Sequence, residues 1–218
     1  MPLARVCLRP ARVFGLAASL GSLIACAPPV LSLHSESEPT GTSYEKSRDR
    51  WSRHGRILSN TEFDTQLVVV ATLRSRSFQR AYVDQYLKTY AVADPWERAR
   101  VEKDQAEQTQ NGLSLFVLTK THSPTWNDLR LSAGKWRLSL LDDQGREVQA
   151  DRVDTLTTRQ AVEQSLLGEP TDAFTKLWTV HFPISASDGK PFPEPSTHKI
   201  SLRVAGPLGQ TELPWLLQ

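Results

Sequence analysis

Apolar side chains recurring at every second position constrain this chain more than any other feature. In residues 63–73, Phe63, Thr65, Leu67, Val69, Ala71 and Leu73 share one face, and Val68 and Val70 thicken the other. Period two is what an extended backbone produces, because successive side chains point to opposite faces of a sheet. The pattern returns in 112–121, apolar on both faces at its middle, and again in Trp136, Leu138 and Leu140. Asp142-Asp143-Gln144-Gly145 then turns the chain into a strand at 146–154, with Gly145 as the positive-φ residue that a short bulged hairpin needs. Trp178, Val180 and Phe182 form another one-sided strand stopped by Pro183. Ile200, Leu202 and Val204 repeat it, and Leu213, Trp215 and Leu217 close the chain. About seven short strands joined by tight turns predict a mainly β fold, an antiparallel immunoglobulin-like β-sandwich. The likeness is architectural, since the cysteine pair that bridges immunoglobulin sheets is absent.

A helical insertion at about 76–108 lies between the first two of these strands. Phe78, Tyr82, Tyr86 and Tyr90 stand at i, i+4 spacing, an aromatic stripe on one helix face. Asp94-Pro95-Trp96-Glu97 reads as the start of a second helix, with Asp94 as N-cap and Pro95 in the first turn. Its run to about Gln108 is mostly charge, with Arg98/Glu102, Arg100/Asp104 and Lys103/Glu107 four apart, so it belongs on the surface. Thr158–Leu167 reads as a third short helix, ended by Gly168 with Pro170 beyond.

The N-terminus carries an address. Arg5, Arg9 and Arg12 precede an uncharged apolar run from Val13 to Ala25, a basic region and apolar core of signal-peptide length that is too short to span a bilayer. Leu23-Ile24-Ala25-Cys26 resembles the lipobox of bacterial lipoproteins. That resemblance implies cleavage before Cys26, covalent lipid on Cys26 and no other cofactor. It also implies a place in the bacterial cell envelope, anchored to the membrane. Ala27, where inner-membrane lipoproteins carry Asp, points to the outer membrane facing the periplasm. Residues 26–44, rich in Pro, Ser, Thr and Glu, read as a flexible tether ahead of a β-sandwich domain at 45–218.

Loss of residues 1–25 takes three Arg from a chain of formal charge +2 and leaves −1, so no global basic field recommends nucleic acid. Cys7 leaves with the signal and Cys26 carries the lipid, so the core must hold the domain without a disulfide. The body, in Trp136–Val148 and Trp178–Pro183, is similar to small envelope lipoproteins of unassigned function, a resemblance that implies no activity.

Chemistry-bearing motifs are scarce. No two of His34, His54, His122, His181 and His198 stand three to five apart, so there is no local zinc signature. No GxSxG elbow, phosphate-binding glycine loop or CxxC occurs. Asp142-Asp143-Gln144-Gly145 lacks the spaced carboxylates and closing Glu of a Ca²⁺ loop and reads as a turn. Asp151 and Asp154 read as solvated charges on a strand edge.

Candidate contact residues fall in three places. Arg50, Trp51 and Arg53 belong to a basic cluster at 45–56 suited either to contact with anionic head groups or another envelope polymer, or to a solvated lead-in to the first strand. Tyr82, Tyr86 and Trp96 belong to the insertion, and Phe192 to a proline-rich loop at 185–196. The expectation is a non-enzymatic binding or scaffold module with an envelope protein or glycan as partner. Two alternatives remain beside it: an envelope hydrolase using His122, His181 or His198, and a carbohydrate-binding module using Trp96, Trp126 or the tyrosines.

Overall fold

A computed structural model describes residues 30–33, 35, 39, 41–58, 65–110, 112–155, 166–168 and 172–218. Among them, β1 (Val30–Leu31), α1 (Tyr44–Trp51), β2 (Ser52–Leu58) and β3 (Thr65–Leu73) come first. Helices α2 (Arg76–Thr89) and α3 (Pro95–Gln110) follow, then β4 (Gly112–Lys120), β5 (Arg137–Asp142), β6 (Glu147–Gln149) and β7 (Arg152–Thr155). The chain ends in β8 (Thr175–Pro183), β9 (Lys199–Gly206) and β10 (Gly209–Leu217). Two five-stranded sheets result, ordered β1-β10-β9-β5-β6 and β2-β3-β4-β8-β7. Every pairing is antiparallel except that of β1, which runs parallel to β10 with Val30 beside Leu216.

The alternation places the core. Leu67, Val69, Ala71 and Leu73 of β3 are fully buried, as are Leu115 and Val117 across from them on β4. Val180 and Trp178 continue these rows onto β8. From the other sheet Leu138, Leu140, Leu202, Val204, Leu213 and Trp215 complete a sandwich-like interior. The second face of β3 and β4 is buried too, because α2 lies over it. Phe78, Tyr82 and Tyr86 form a continuous ring contact, and Tyr82 meets Phe116 of β4 at 5.2 Å. A strand covered on both sides reads as apolar on both faces, which is the pattern seen at 112–121. Ser75 caps α2, its Oγ accepting from Phe78 N at 3.2 Å. At α3, Asp94 Oδ1 accepts from Trp96 N at 3.0 Å, as the Asp-Pro start predicts.

Several expectations need correction. The described strands number ten rather than seven; β1 and β2 precede the strand expected first, so α2 and α3 follow the third described strand. The strand expected at 146–154 is two: β6 pairs with β5 in one sheet and β7 with β8 in the other, the chain changing sheets at Ala150–Asp151. The basic cluster is not a lead-in but forms α1 and β2. Part of the tether is folded: Leu31 is fully buried and its carbonyl accepts from Gln218 N at 2.8 Å, because two strand residues suffice to cover the end of β10. The helix expected at 158–167 lies outside the described residues apart from Leu166 and Leu167, which are buried.

Strand β2 closes one side of the sandwich against β10. Trp215 Nε1 donates to Trp51 O at 2.8 Å and Arg53 Nε donates to Pro214 O at 2.8 Å. Gly55 permits the approach, since a Cβ there would stand 2.7 Å from Thr211 Oγ1.

Candidate functional site

The proline-rich loop walls one concave feature of the described residues. It leaves β8 at Pro183, folds back through a Ser185–Pro191 bridge, and enters β9. Backbone bonds hold its shape: Ala186 N donates to Lys190 O at 2.9 Å, Phe192 N to Ile184 O at 2.7 Å and Thr197 N to Glu194 O at 3.0 Å. A charged staple holds its position. Asp142, its carboxylate fully buried, accepts from Gln144 N, Arg146 N and Arg146 Nε at 2.7–2.9 Å. Arg146 Nη1 then reaches Glu194 Oε1 at 2.6 Å, and its guanidinium lies 5.9 Å from the Phe192 ring centre. Hydrogen bonding to the Asp142 carboxylate raises the Arg146 pKa further, so this cation stays charged.

Between this loop and the start of α2 opens a cleft of about 320 Å³. Phe192, Leu113, Leu33 and Leu217 give it apolar walls; Arg74, Ser75 and Arg76 stand at the helix end, and Glu194 and Gln218 add polar groups. Ile184, 57% exposed, stands at its lip. Thr197, only 4% exposed, also lines it, and its hydroxyl has no hydrogen-bond partner among the described residues. An apolar trough with a few polar groups is the usual form of a site that holds a chain segment or small ligand.

A second, smaller hollow of about 170 Å³ surrounds His181, with Glu107, Asp151 and Arg152 on its walls. Arg152 Nη2 lies 2.9 Å from His181 Nε2, and Asp154 Oδ2 stands 3.4 Å from the same nitrogen. Burial, then the Arg152 charge, lowers the His181 pKa, with Asp154 opposing. Ser114 faces His181 across the β4–β8 ladder, but its hydroxyl is buried and has no hydrogen-bond partner among the described residues. An unactivated, water-excluded hydroxyl does not make a nucleophile with its base. His122 instead meets the Phe174 ring at a tilt, 5.7 Å between centres, and His198 N donates to Asp143 Oδ2 at 3.0 Å, so the three histidines occupy three separate regions. Among the described residues no group of three or more His, Cys, Asp and Glu is placed to hold a metal ion.

The residues singled out from sequence are dispersed. Trp51, Tyr82, Tyr86 and Phe192 are at least nine-tenths buried, so their rings face protein, and Phe192 lines the cleft. Trp96 is 85% exposed at the start of α3. Trp126 is half-buried and meets Trp136 edge-on at 6.5 Å. Arg53 is half-buried, and desolvation lowers its pKa; Arg53 Nη1 donates to Arg50 O at 2.9 Å. Cys26 lies outside the described residues. Sequence reasoning missed Ile184 and Thr197; an isolated apolar or hydroxyl residue in a loop carries no periodic signal, and only the loop's proline content pointed there.

Among the described residues no helix is long and apolar enough to cross a membrane. None of the protein-family models, curated proteins or solved structures compared with this chain matches it.

Proposed function

We propose that this protein is a lipid-anchored module of the bacterial cell envelope, non-enzymatic, that binds or scaffolds another envelope component through the cleft beside its proline-rich loop. The anchor half of the reading rests on Leu23-Ile24-Ala25-Cys26 after a basic and an apolar segment. Ala27 favours the outer membrane, periplasmic side. The binding half rests on one observation: a cleft of about 320 Å³ with apolar and charged walls, whose loop side is fastened by the Asp142–Arg146–Glu194 staple and whose lip exposes Ile184. A pre-shaped wall loses little conformational freedom on binding, which favours recognition.

We read the architecture as immunoglobulin-like. The order β3-β4-β8-β7 facing β10-β9-β5-β6 follows the A-B-E-D and G-F-C-C′ orders of such sandwiches, with α2 and α3 inserted between the strands standing as A and B. On that reading β2 is an added edge strand.

The experiment is in-cell photo-crosslinking from position 184, followed by purification of the lipidated protein from solubilised envelopes, with Cys26→Ser as control. One envelope protein recovered in stoichiometric yield from Ile184, and lost with Cys26→Ser, is the expected result. Crosslinks no different from those of an exposed position on β6, such as Gln149, would overturn the assignment of the cleft.

A further inference from the structure

We infer that the β2–β10 edge of the sandwich lies flat against an anionic lipid surface. This rests on reading Cys26 as acylated, and it adds which side of the body the membrane meets. The first observation is chain length. Val30 is paired beside Leu216, four peptide steps after Cys26. At about 3.3–3.6 Å per residue those steps reach at most ~14 Å, so the acyl chains enter the bilayer within ~14 Å of β1. The body has no long tether on which to swing.

The second observation is what surrounds that point. Arg53 Nε donates to Pro214 O, two residues before the Leu216 beside which Val30 lies. Arg53 therefore sits on the same stretch of β10 as the strand leading from the anchor. Arg50 lies in the last turn of α1 just before it, and His54 and Arg56 are exposed on β2, the edge strand of its sheet. Residues 44–58 carry five basic side chains against two acidic ones. The opposite edge, formed by β6 and β7, is acidic: Glu147, Asp151 and Asp154 are exposed there, with Arg152 the one exposed cation of 147–155. A body so polarised turns its β2 edge toward anionic head groups, and the ~14 Å leash keeps that edge near the ~8–10 Å range over which such charges act.

The test uses the mature lipidated protein in vesicles, with a nitroxide on His54→Cys or, as control, on Gln149→Cys at the far edge; Cys26 is blocked by its lipid. Accessibility to an aqueous relaxation agent is compared in neutral phosphatidylcholine vesicles and in vesicles containing one part phosphatidylglycerol to two parts phosphatidylcholine. The expected result is strong protection at 54 in anionic vesicles alone, reversed at ~1 M salt where the Debye length is ~3 Å, with position 149 accessible throughout. Arg56→Gln, which leaves the Arg53–Pro214 bond in place, lowers the docked-to-free ratio about five-fold. Equal accessibility at 54 and 149 in a protein that floats with vesicles overturns the inference, as does protection independent of lipid charge. A protein whose Cys26 is unmodified and which does not float overturns the anchor reading instead, and the two failures are told apart by flotation and mass.

Discussion

Thr119→Val tests whether the buried polar network joining β4, β8 and the 121–136 connection stabilises the sandwich. Thr119 is fully buried and its hydroxyl serves two neighbours: it accepts from Trp178 Nε1 at 2.8 Å and donates to Asn127 Oδ1 at 2.6 Å. Asn127 in turn donates to Phe174 O at 2.7 Å, and its carbonyl accepts from Lys176 Nζ at 2.8 Å. Valine keeps the shape and removes the hydroxyl, leaving an indole N–H and an amide oxygen buried without partners. At about 1–2 kcal/mol for each neutral group, the loss is about 2–4 kcal/mol. For a domain of this size that lowers Tm by roughly 4–16 °C, at about 2–4 °C per kcal/mol. Thr119→Ser keeps both bonds, loses one methyl, and costs about 1 kcal/mol. Urea unfolding of both variants, followed by tryptophan fluorescence, provides the comparison. A valine variant within ~0.5 kcal/mol of the parent, or a serine variant weaker than the valine one, contradicts the assignment.

Gly112→Ala is expected to be among the most damaging single-methyl changes. The glycine's φ is +154° and a Cβ would lie 1.9 Å from Phe182 O, so the β4–β8 ladder must part at Gly112–Pro183. Strain and overpacking together cost about 2–5 kcal/mol, and denaturation showing less than ~1 kcal/mol counts against this geometry. The lowered pKa of His181 gives a signed pH effect. Below the ordinary value of 6.5 the unfolded chain takes up a proton the native imidazole refuses, so stability falls with pH until the native pKa is reached. His181→Gln removes that limb, and an NMR titration placing His181 at or above the ordinary value contradicts it. At lower pH, Asp172 is held to about 2 by hydrogen bonds from Lys120 and then Thr175. Its contribution is complete above the usual 3.8 and disappears as pH falls through about 2, a limb that Asp172→Asn flattens in acid-unfolding curves.

The β-rich interior was legible in the sequence because β3, β4, β8, β9 and β10 bury alternate residues against a second layer. The stripe from Phe78 to Tyr86 was legible as a helix face for the same reason. What escaped the alternation rule was β2: in Ser52-Arg53-His54-Gly55-Arg56-Ile57-Leu58 only Ile57 among the apolar residues is buried, since an edge strand has one sheet neighbour and carries its charges outward. The switch between sheets at Ala150–Asp151 was also silent, because β6 and β7 each expose enough residues to read as one polar strand. Trp51 and Phe192 stand alone among charges and prolines, so nothing local signalled burial. Trp51 is buried where the far end of the chain brings Trp215 to its carbonyl, and Phe192 where the β5–β6 turn brings Arg146 over its ring. Leu31 was misread through its neighbours' composition, which does not record that the end of β10 needs a cover.

The most direct measurement for the central claim is the intact mass and N-terminal fragment spectrum of the protein isolated from bacterial membranes. Our account predicts a chain that begins at Cys26, lacks residues 1–25 and carries acyl chains on that cysteine. A chain that begins elsewhere, or a Cys26 with a free thiol, would contradict it.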